Sequence, residues 1–335
     1  MSHKQALEAL NRTLQDLQHN DILVLAGDFR QTLPIIDRGT RADEISACLK
    51  SSKVLWPYVK TFHLEKNMRV HRFHDVRAGQ YADLLLRIGD GKIPPNPANG
   101  LIKIPCGNLV DTLEKLQDSV FPDVSQNFFD VDWLSERAIL APTNQSVHLI
   151  NESLLDQIPT EEQVYLSIDT TTEIDDAVQY PTEFLNSLTP TGMPPHRLRL
   201  KIGTPILLLR NLDPPKLCNG TKLIVRRLRR YIIEAEIAMG QYRGETIFIP
   251  RIPLIPSDTT IPFKRLQFPV RSSFAMTINK SQGQTLKTVG LFLTTPCFSH
   301  GQFYVACSRV SSPNNIHILS ESDETANVVY TEVLL

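Results

Sequence analysis

The sequence lacks several features that would assign it to a broad class of proteins. It has no apolar run near the roughly 18 residues that a membrane-spanning helix needs, and no signal or transit pattern at its start. Its five cysteines form no C-x-x-C pair, which argues against a zinc site and is typical of free thiols in a reducing compartment. Basic residues (35) nearly balance acids (36), so any nucleic-acid binding must come from local patches. We therefore expect two or three domains, no metal ligands, no membrane partner, and a location in the nucleus or cytoplasm.

The sequence also lacks the two motifs that hold a nucleoside triphosphate and its metal ion. No segment reads G-x-x-x-x-G-K-[ST], and Gly91-Lys92 has neither the upstream glycine nor the following Ser or Thr. The pair Asp43-Glu44 does not follow an apolar strand, as carboxylates that hold Mg²⁺ in such proteins do. We interpret this pair as the first turn of a surface helix ending near Ser51, where acidic side chains suit the helix dipole.

The polar residues with the clearest chemistry lie between Phe268 and Val310. FAMTIN predicts a strand, SQGQTL the start of a short helix, TVGLFL a second strand and GQFYVACSR a helix. A strand, a polar turn and a helix together aim backbone N–H groups and short side chains at an anion. An arginine on the next helix can reach the charge that develops during phosphoryl transfer. The polar residues are Thr277, Lys280, Gln282 and Thr285, and then Gln302, Tyr304, Ser308 and Arg309, of which Tyr304 is expected to pack in the core.

The amino-terminal part of the chain predicts a helix followed by buried strands. Leucines at helical spacing predict an amphipathic helix over 3–18. The run DILVLAGD (21–28) predicts a fully buried parallel strand whose carboxyl end carries a functional loop, and VKTFHL (59–64) predicts a second strand. In that loop Asp28 and Gln31 either cap the turn or face a ligand, and the residues alone favour neither reading.

The middle of the chain predicts a change of domain. Residues 75–92 predict a helix that glycines and then prolines end. Residues 137–158 predict a strand, a turn and a helix. For Asn144, at the end of that strand, helix capping is the favoured interpretation over a ligand contact.

Short β-rich runs between about 182 and 262 alternate with Pro and Gly turns and predict a small antiparallel barrel. Basic residues cluster there. Few aromatic residues lie among them, so the functional interpretation is contact with a phosphate backbone and not base readout, and the alternative is a solvated face. The cluster comprises Arg197, Arg199, Lys201, Arg210, Lys216, Lys222, Arg226, Arg227, Arg229 and Arg230.

Several of these segments resemble helicase motifs in the order in which that family has them. T-I-N-K-S-Q-G-Q-T and F-Y-V-A-C-S-R-V resemble the fifth and sixth motifs of the Pif/RecD-like superfamily-one DNA helicases, in their Pif-type and Helitron-type branch. L-A-G-D-F-R-Q-T-L-P (25–34) is similar to the third motif, and H-L-E-K-N-M-R-V (63–70) to the fourth. Residues 200–213 and 217–223 resemble the small inserted domain of the family.

The resemblance implies an α/β fold of RecA-like parallel-sheet NTPase domains, the first incomplete, with a small inserted antiparallel β barrel. Two RecA-like domains of this family close on a nucleotide held between them. The implied segments are 1–75 (carboxyl part of the first RecA-like domain), 76–135 (linking helices), 136–181 and 263–335 (second RecA-like domain) and 182–262 (inserted barrel).

The resemblance also implies roles for individual residues. Gln31 looks like the sensor of the γ-phosphate, Arg69 like an arginine that contacts the nucleotide phosphates, and Arg309 like the arginine that stabilises charge on the γ-phosphate. Asp28 looks like a helper at the metal ion or the attacking water. The remaining nucleotide-binding residues implied are Gly27, Lys280, Gln282 and Gly283. The DNA-binding residues implied are Thr277, Thr285, Arg197, Arg199, Lys222, Arg226 and Arg227.

The function that the resemblance implies is 5′ to 3′ DNA unwinding on single-stranded DNA, driven by ATP with Mg²⁺, in DNA repair, recombination and telomere maintenance. Because the phosphate loop and the metal-holding carboxylates are absent from the sequence, the chain looks like a family member truncated at its amino terminus. One hypothesis is a part of a helicase that is inactive alone, with the missing half-domain encoded upstream in the genome or supplied by another polypeptide. The alternative is a catalytically dead, single-stranded-DNA-binding remnant of a transposon-related helicase.

Overall fold

The computed structural model describes residues 2–18, 22–36, 39–64, 76–172, 180–256, 259 and 261–335. The chain divides into two compact units, which are described separately. Unit 1 comprises Met1–Leu116 and Ser281–Leu335, and unit 2 comprises Gln117–Lys280. The finer division into five segments stays a prediction.

Helices form where apolar residues recur at helical spacing, and the helices predicted over 3–18 and 75–92 are confirmed. Within the described ranges, no helix is long and apolar enough to cross a membrane. The helices are α1 (Lys4–Gln18), α2 (Arg41–Ala47), α3 (Val76–Gly89), α4 (Leu113–Val120), α5 (Val124–Asn127), α6 (Val131–Ser135), α7 (Asn144–Gln157), α8 (Thr182–Ser187), α9 (Gln302–Cys307) and α10 (Thr331–Leu334).

Helix α2 confirms the interpretation of Asp43 and Glu44 as a first helical turn. Thr40 caps the helix by accepting a hydrogen bond from the backbone N–H of Asp43, and the Asp43 carboxylate accepts one from the Thr40 N–H (2.8 Å). These hydrogen bonds hold the pKa of Asp43 below its ordinary value. Asp43 and Glu44 therefore form part of the amino-terminal turn of α2, which Asp43 helps to cap.

Most strands are short, and they form both parallel and antiparallel pairs. The strands are β1 (Ile102–Lys103), β2 (Asn108–Val110), β3 (Arg137–Ala141), β4 (Glu162–Leu166), β5 (Ile168–Thr171), β6 (Arg197–Lys201), β7 (Pro205–Leu208), β8 (Lys222–Leu228), β9 (Ile232–Ile237), β10 (Thr246–Pro250), β11 (Ile252–Leu254), β12 (Phe263–Gln267), β13 (Val270–Ser272), β14 (Ala275–Thr277), β15 (Thr288–Phe292), β16 (Ile316–Leu319) and β17 (Glu324–Thr325).

Unit 1 contains parallel strands that follow buried apolar runs. Strand β15 pairs in parallel with β16, with Val289 opposite Ile316, and β16 pairs in parallel with β2. Four of the five residues of β15 are buried, as expected for a strand covered on both faces. The strand predicted from TVGLFL is therefore confirmed.

Unit 2 contains a second parallel pair, β3 and β14, with Ile139 opposite Ala275. The buried Asn151 of α7 ties the helix to this pair, because its side chain donates to the Ala275 carbonyl (3.0 Å) and accepts from the Ala275 N–H (2.9 Å). The strand, turn and helix predicted over 137–158 are confirmed. The cap is Thr143, whose hydroxyl accepts from the Ser146 N–H, so capping by Asn144 was wrong.

The antiparallel strands predicted in unit 2 form a five-stranded sheet in the order β10, β9, β8, β7 and β13. Alternate residues of β9 and β10 point into a core that includes Ile233, Ala235, Ile247 and Ile249. A second antiparallel sheet has the order β11, β12 and β5. The closure of these strands into a barrel stays a prediction.

Three sequence predictions of regular structure were wrong. Residues 22–28 and 59–64 form no strand, and within them Val24 is 86% and Leu64 99% exposed. A buried strand would cover these side chains, whereas in the structure they are exposed. The helix predicted from SQGQTL is also absent, because a 3₁₀ turn covers Ile278–Ser281 and Gly283 then takes a left-handed φ of +77°.

Lys222, the first residue of β8, is a buried lysine. Its Nζ lies 3.3 Å from the carbonyl oxygen of Arg137 and 3.5 Å from that of Leu134. These distances exceed those of strong hydrogen bonds. Burial lowers the pKa of Lys222 from 10.5 to about 8. A shift of that size corresponds to roughly 3 kcal/mol against the charged form.

We expect Lys222→Met to raise the free energy of unfolding at neutral pH by on the order of 1–2 kcal/mol, since methionine carries no charge and the lost carbonyl contacts offset part of the gain. The pKa is lower in the folded chain, so the unfolded chain binds more protons between about pH 8 and 10.5. Wild-type stability therefore rises across that window, and the advantage of the variant shrinks. Urea unfolding at pH 7 and about pH 9.5 measures both effects.

The control is Lys264→Met, which replaces an exposed lysine and should leave the free energy of unfolding nearly unchanged. If Lys222→Met were no more stable than wild type at pH 7, the expectation would be contradicted.

Candidate functional site

The site begins in unit 1 with a tight turn at Asp28. The Asp28 carboxylate accepts a hydrogen bond from the Arg30 N–H (3.1 Å), and its carbonyl accepts one from the Gln31 N–H (3.2 Å). Aspartate commonly closes turns in this way. Gly27 is exposed and Gln31 is partly exposed, whereas the next residue, Thr32, is buried. The predicted residues Gly27, Asp28 and Gln31 therefore lie on one turn with an open side.

Helix α9 begins against this turn, where only glycine fits. Gly301 has a φ of +71°, and a Cβ at this position would overlap the carbonyl oxygen of Arg30. The neighbouring His300 is buried, with Nε2 2.8 Å from the Phe29 carbonyl oxygen and Nδ1 accepting from the Tyr330 N–H (2.8 Å). Because Nδ1 accepts, Nε2 carries the proton. Burial lowers the pKa of His300, which favours the neutral ring that these bonds require.

A network of charged and polar side chains holds the turn in place. The Tyr304 hydroxyl donates to the Asp28 carboxylate (2.7 Å), and burial together with Asp28 raises the pKa of Tyr304. Tyr304 was predicted to be core packing, and this contact corrects that expectation. Arg30 Nε donates to Asp90 (2.6 Å), which also accepts from Lys92 (2.8 Å). Neither Arg30 nor Tyr304 could be assigned these partners from the sequence, since more than 50 residues separate each pair.

Arg309 follows α9 and is 8% exposed. Its guanidinium donates to the carbonyl oxygens of Ser281 (3.2 Å), Gln284 (3.1 Å) and Val305 (2.8 Å), and to the Ser308 hydroxyl (2.7 Å). A planar guanidinium is suited to several acceptors at once. Arg309 therefore holds the 281–284 turn onto the helix that carries it.

The turn held by Arg309 reaches the Asp28 turn. The Gln282 side chain donates to the Thr32 carbonyl (3.4 Å), and both Gly283 and Thr285 are exposed. Residues 27–32, 281–285 and 300–309 thus meet in unit 1, and we call them the three-segment site. It includes the predicted Gly27, Asp28, Gln31, Gln282, Gly283, Thr285 and Arg309.

Arg69, Lys280 and the predicted DNA-binding residue Thr277 are not part of the three-segment site. Arg69 lies outside the described residues. Lys280 is exposed at the end of unit 2, and Thr277 is partly buried at the carboxyl end of β14. Their predicted roles stay predictions.

Two of the predicted DNA-binding residues in unit 2 are occupied by other contacts. Arg199 donates to the carboxylates of Glu152 (2.5 Å), Asp156 (2.6 Å) and Glu162 (2.5 Å), and these interactions raise its pKa. Lys222 is buried, as described above. A phosphate backbone cannot reach a buried ammonium, and it would have to displace three acids from Arg199. We therefore correct the predicted interface by leaving both residues out.

The other predicted arginines differ in how strongly they are paired. Arg226 binds Glu236 (2.8 Å), whereas Arg227 lies 3.8 Å from Glu234 and its side chain is 64% exposed. Arg197 is exposed. Of the predicted arginines, Arg197 and Arg227 are therefore the more accessible ones.

The hairpin that joins β8 to β9 presents further basic residues. Arg229, Arg230 and Tyr231 form its tip, and we call them the hairpin tip. All three are exposed, Tyr231 by 66%, and the Arg230 guanidinium lies 5.2 Å from the centre of the Tyr231 ring. Both arginines belong to the predicted basic cluster, but the sequence reasoning overlooked the aromatic ring beside them. The dipeptide RY between two β runs was the available signal.

The three-segment site is better suited to donate hydrogen bonds to an anion than to bind a metal ion. Gly27 and Gly283 are exposed, and the partly exposed Gln31 carries a side-chain amide with N–H donors. Asp28, the carboxylate that the family would bring near Mg²⁺, is bound to Tyr304 through one oxygen and to the Arg30 N–H through the other. These bonds leave it a poor ligand for a divalent cation.

Profiles of two known families match this chain. The PIF1-like helicase profile matches residues 1–99, and the profile of the 2B domain of DNA helicase Pif1 matches residues 183–228. These two matches support a PIF1-like helicase. The first match covers the Asp28 turn of this PIF1-like chain, and the second covers the basic strands β6 and β8.

Curated relatives of the PIF1-like chain are longer than it is. The ATP-dependent DNA helicase PIF6 of Trypanosoma brucei brucei is 32% identical over 135 residues, which are 38% of this chain and 17% of that protein. The ATP-dependent DNA helicase PIF1 of Danio rerio is 26% identical over 190 residues, which are 54% of this chain and 27% of that protein. The chain therefore spans only a minor part of the length of the curated relatives it matches.

Solved structures show the same fold over the whole chain. The Pif1 helicase from Candida albicans matches with a TM-score of 0.60 at 22% identity, covering 100% of this chain and 73% of that one. The Pif1 helicase from Bacteroides in complex with ADP-AlF3 and ssDNA matches with a TM-score of 0.62 at 18% identity, covering 98% and 70%. The likeness confirms the predicted α/β fold of RecA-like type.

Proposed function

We propose that this PIF1-like chain is part of an ATP-driven DNA helicase, in which the three-segment site faces the γ-phosphate end of a bound nucleotide. The observation that carries the proposal is the meeting of the Asp28 turn with the 281–285 turn and α9, through the Tyr304–Asp28 and Gln282–Thr32 hydrogen bonds. Helicases couple ATP to DNA through such distant motifs, so their assembly in one unit favours this function over a protein that only binds DNA.

The residues of the site have different roles toward a bound nucleotide. Gln31, on the open side of the Asp28 turn, orients a γ-phosphate or the attacking water. Tyr304 and Asp28 fix that turn, and Arg309 fixes the opposite one. Mg²⁺, when bound with ATP, would neutralise phosphate charge, but its ligands are not among these residues. The sequence contains no phosphate loop, so we expect no DNA-stimulated ATP hydrolysis from this chain alone.

Single-stranded DNA is the proposed partner of unit 2. The hairpin tip and Arg227 combine exposed guanidinium groups with an exposed aromatic ring. Guanidinium groups bind phosphates, and an aromatic ring gives a base a surface for stacking. The ssDNA complex of the Bacteroides relative supports this choice of partner. A separate polypeptide that completes the helicase remains part of the proposal.

The DNA contact is tested by removing both arginines of the hairpin tip. We expect the Arg229→Ala/Arg230→Ala variant to bind a labelled oligo-dT more weakly, because two phosphate contacts are lost. Fluorescence anisotropy titrations over a series of salt concentrations give the dependence of affinity on salt. Its log–log slope should become shallower by about 1.4, since each contact with single strands contributes about 0.7.

The control removes the same charge elsewhere. Arg41→Ala/Arg243→Ala loses two exposed arginines that pair with Glu332 and Asp132. Its DNA affinity and salt slope should stay close to those of wild type. Equal losses in the two double variants would mean that net charge alone governs binding and would contradict a contact at the hairpin tip.

A second candidate function is single-stranded DNA binding without any use of nucleotide. It is favoured by the carboxylate of Asp28 and the guanidinium of Arg309, which are both engaged in protein contacts. The two candidates differ in linkage, because a nucleotide that binds must change DNA affinity if the sites are coupled. DNA titrations with and without ADP and aluminium fluoride distinguish them. An affinity that nucleotide leaves unchanged supports the second candidate.

A further inference from the structure

Two of the five free cysteines lie side by side in unit 1. Cys106 Sγ is 3.9 Å from Cys307 Sγ, although 201 positions separate them in the sequence. Among the contacts of the described residues, no other two thiols form such a pair. This proximity is unrelated to the nucleotide and DNA contacts proposed above.

The backbone on both sides of the pair is held in place. Cys106 follows β1, where the Ile104 N–H donates to Asp323 (2.9 Å), and precedes Gly107, which has a φ of +91°. A Cβ at Gly107 would lie 2.9 Å from the Ile318 side chain, so the loop is pressed against β16. Both anchors belong to the same unit as the cysteine they position.

Cys307 is the last residue of α9 and is completely buried. Its carbonyl accepts a hydrogen bond from the Tyr81 hydroxyl (2.7 Å), which ties the end of α9 to α3. The two sulfurs are therefore brought together by fixed elements, and a closing movement of about 1.9 Å would bring them to bonding distance.

The environments of the two thiols differ in a way that suits stepwise oxidation. Cys106 is partly exposed, and its hydrogen bond with Cys307 lowers its pKa. The hydrogen bond with Cys106 and burial raise the pKa of Cys307. The thiolate is the reactive form of cysteine, so Cys106 is the first to meet an oxidant and Cys307 is the resolving partner.

We propose that Cys106 and Cys307 are a redox modification site that forms a reversible disulfide when a peroxide reaches Cys106. The Cys106 thiolate attacks one peroxide oxygen, the O–O bond breaks, and the leaving hydroxide takes up a proton as water. The sulfenic acid on Cys106 is then attacked by the Cys307 sulfur. The S–O bond breaks, the S–S bond forms, and the hydroxyl leaves with the Cys307 proton as a second water. Two thiols are oxidised by two electrons, and one hydrogen peroxide is reduced to two waters.

The disulfide would fasten the end of α9 to the loop before β2. Arg309 lies two residues beyond Cys307 and holds the 281–284 turn. Oxidation would thus restrain the helix that carries this arginine. The chemistry itself does not depend on nucleotide binding, so its test is independent of the proposed function.

The test is chemical mapping of the whole folded chain after treatment with hydrogen peroxide. The remaining thiols are alkylated in denaturant, and the protein is digested with trypsin without reductant. We expect two of the five thiols to be lost and a crosslink between the peptides 104–115 and 288–309 to appear. A thiol reductant should restore both thiols. Peroxide products confined to sulfinic or sulfonic acids, or a chain that keeps all five thiols, would overturn the proposal.

Variants of single cysteines show which two sulfur atoms form the disulfide. The peptide 288–309 also contains Cys297, so Cys297→Ala should keep the crosslink, as should Cys218→Ser. Cys106→Ser should abolish it, and because Cys106 is partly exposed this variant tests the pair even if Cys307→Ala does not fold. A crosslink that survives Cys106→Ser, or that is lost in Cys297→Ala while the circular dichroism stays native, would assign the disulfide to other cysteines and overturn the proposal.

Discussion

Replacing Arg309 with alanine is expected to lower the free energy of unfolding by on the order of 3 kcal/mol. The guanidinium is 8% exposed and donates to three carbonyl oxygens and one hydroxyl. Without it, the carbonyls of Ser281 and Gln284 lose a charged donor, and a cavity opens between the 281–284 turn and α9. Urea unfolding followed by circular dichroism measures the loss.

Two further variants separate this role from a general effect of charge. Arg309→Lys keeps the charge but cannot reach several acceptors with one planar group, so it should recover only part of the stability. Arg41→Ala removes an exposed arginine that binds Glu332, and it should cost less than about 1 kcal/mol. If Arg309→Ala were no more destabilised than Arg41→Ala, the contacts of Arg309 would have no structural importance.

The same contacts bear on the catalytic role proposed for Arg309. An arginine that stabilises charge on a γ-phosphate must point a donor at it, and the donors of Arg309 lie on Val305, Ser281, Gln284 and Ser308. To contact phosphate, Arg309 would have to exchange at least one of these acceptors for the nucleotide.

The elements predicted correctly are those whose formation depends on nearby residues. Helix α1 follows from leucines at helical spacing, and the first turn of α2 follows from the acidic pair Asp43-Glu44. The buried strands β3 and β15 follow from continuous apolar runs. In each of these cases the sequence within one element contains enough information, because the pattern and the structure have the same period.

The elements predicted wrongly depend on partners that a local pattern does not specify. The run 21–28 has the composition of a central strand, yet residues 22–28 form no strand and Ile22 and Val24 are exposed. The predicted DNA contact of Arg199 also depends on partners that lie far away in the sequence. The acids that neutralise Arg199 lie 37 to 47 positions away, so they were invisible in the window from which the cluster was read.

The candidate site was predicted in its residues more fully than in its contacts. The resemblance named Asp28, Gln282 and Arg309, and these lie in one site. Gln282 and Arg309 supply some of the contacts that join its segments, whereas Tyr304 and Gly301, which the resemblance did not single out, supply others. A close approach such as that of Gly301 to Arg30 depends on tertiary packing, and no local pattern reveals it.

Removing the carboxylate of Asp169 is expected to have the largest effect on the stability of unit 2. Asp169 and Arg265 face each other across β5 and β12, and both side chains are 0% exposed. Two guanidinium nitrogens of Arg265 donate to the carboxylate, the shortest contact being 2.7 Å. Asp169→Ala would leave a buried guanidinium without its counter-charge, which typically costs about 3–5 kcal/mol. Urea unfolding of the variant measures this loss.

A double-mutant cycle distinguishes the charge pair from the packing around it. Arg265 also donates to the carbonyls of Leu185 and Pro194, so it fastens the segment around α8 to the sheet. Arg265→Met should destabilise unit 2, but Asp169→Leu/Arg265→Met should be more stable than Asp169→Leu alone, because no charge then remains buried. Additive losses in the double variant would show that the two side chains act independently. The alternation of Phe263, Arg265 and Gln267 on one buried face of β12 places this arginine inward. The coupling energy from the cycle then measures how much of the free-energy cost of burying the Arg265 guanidinium is offset by Asp169.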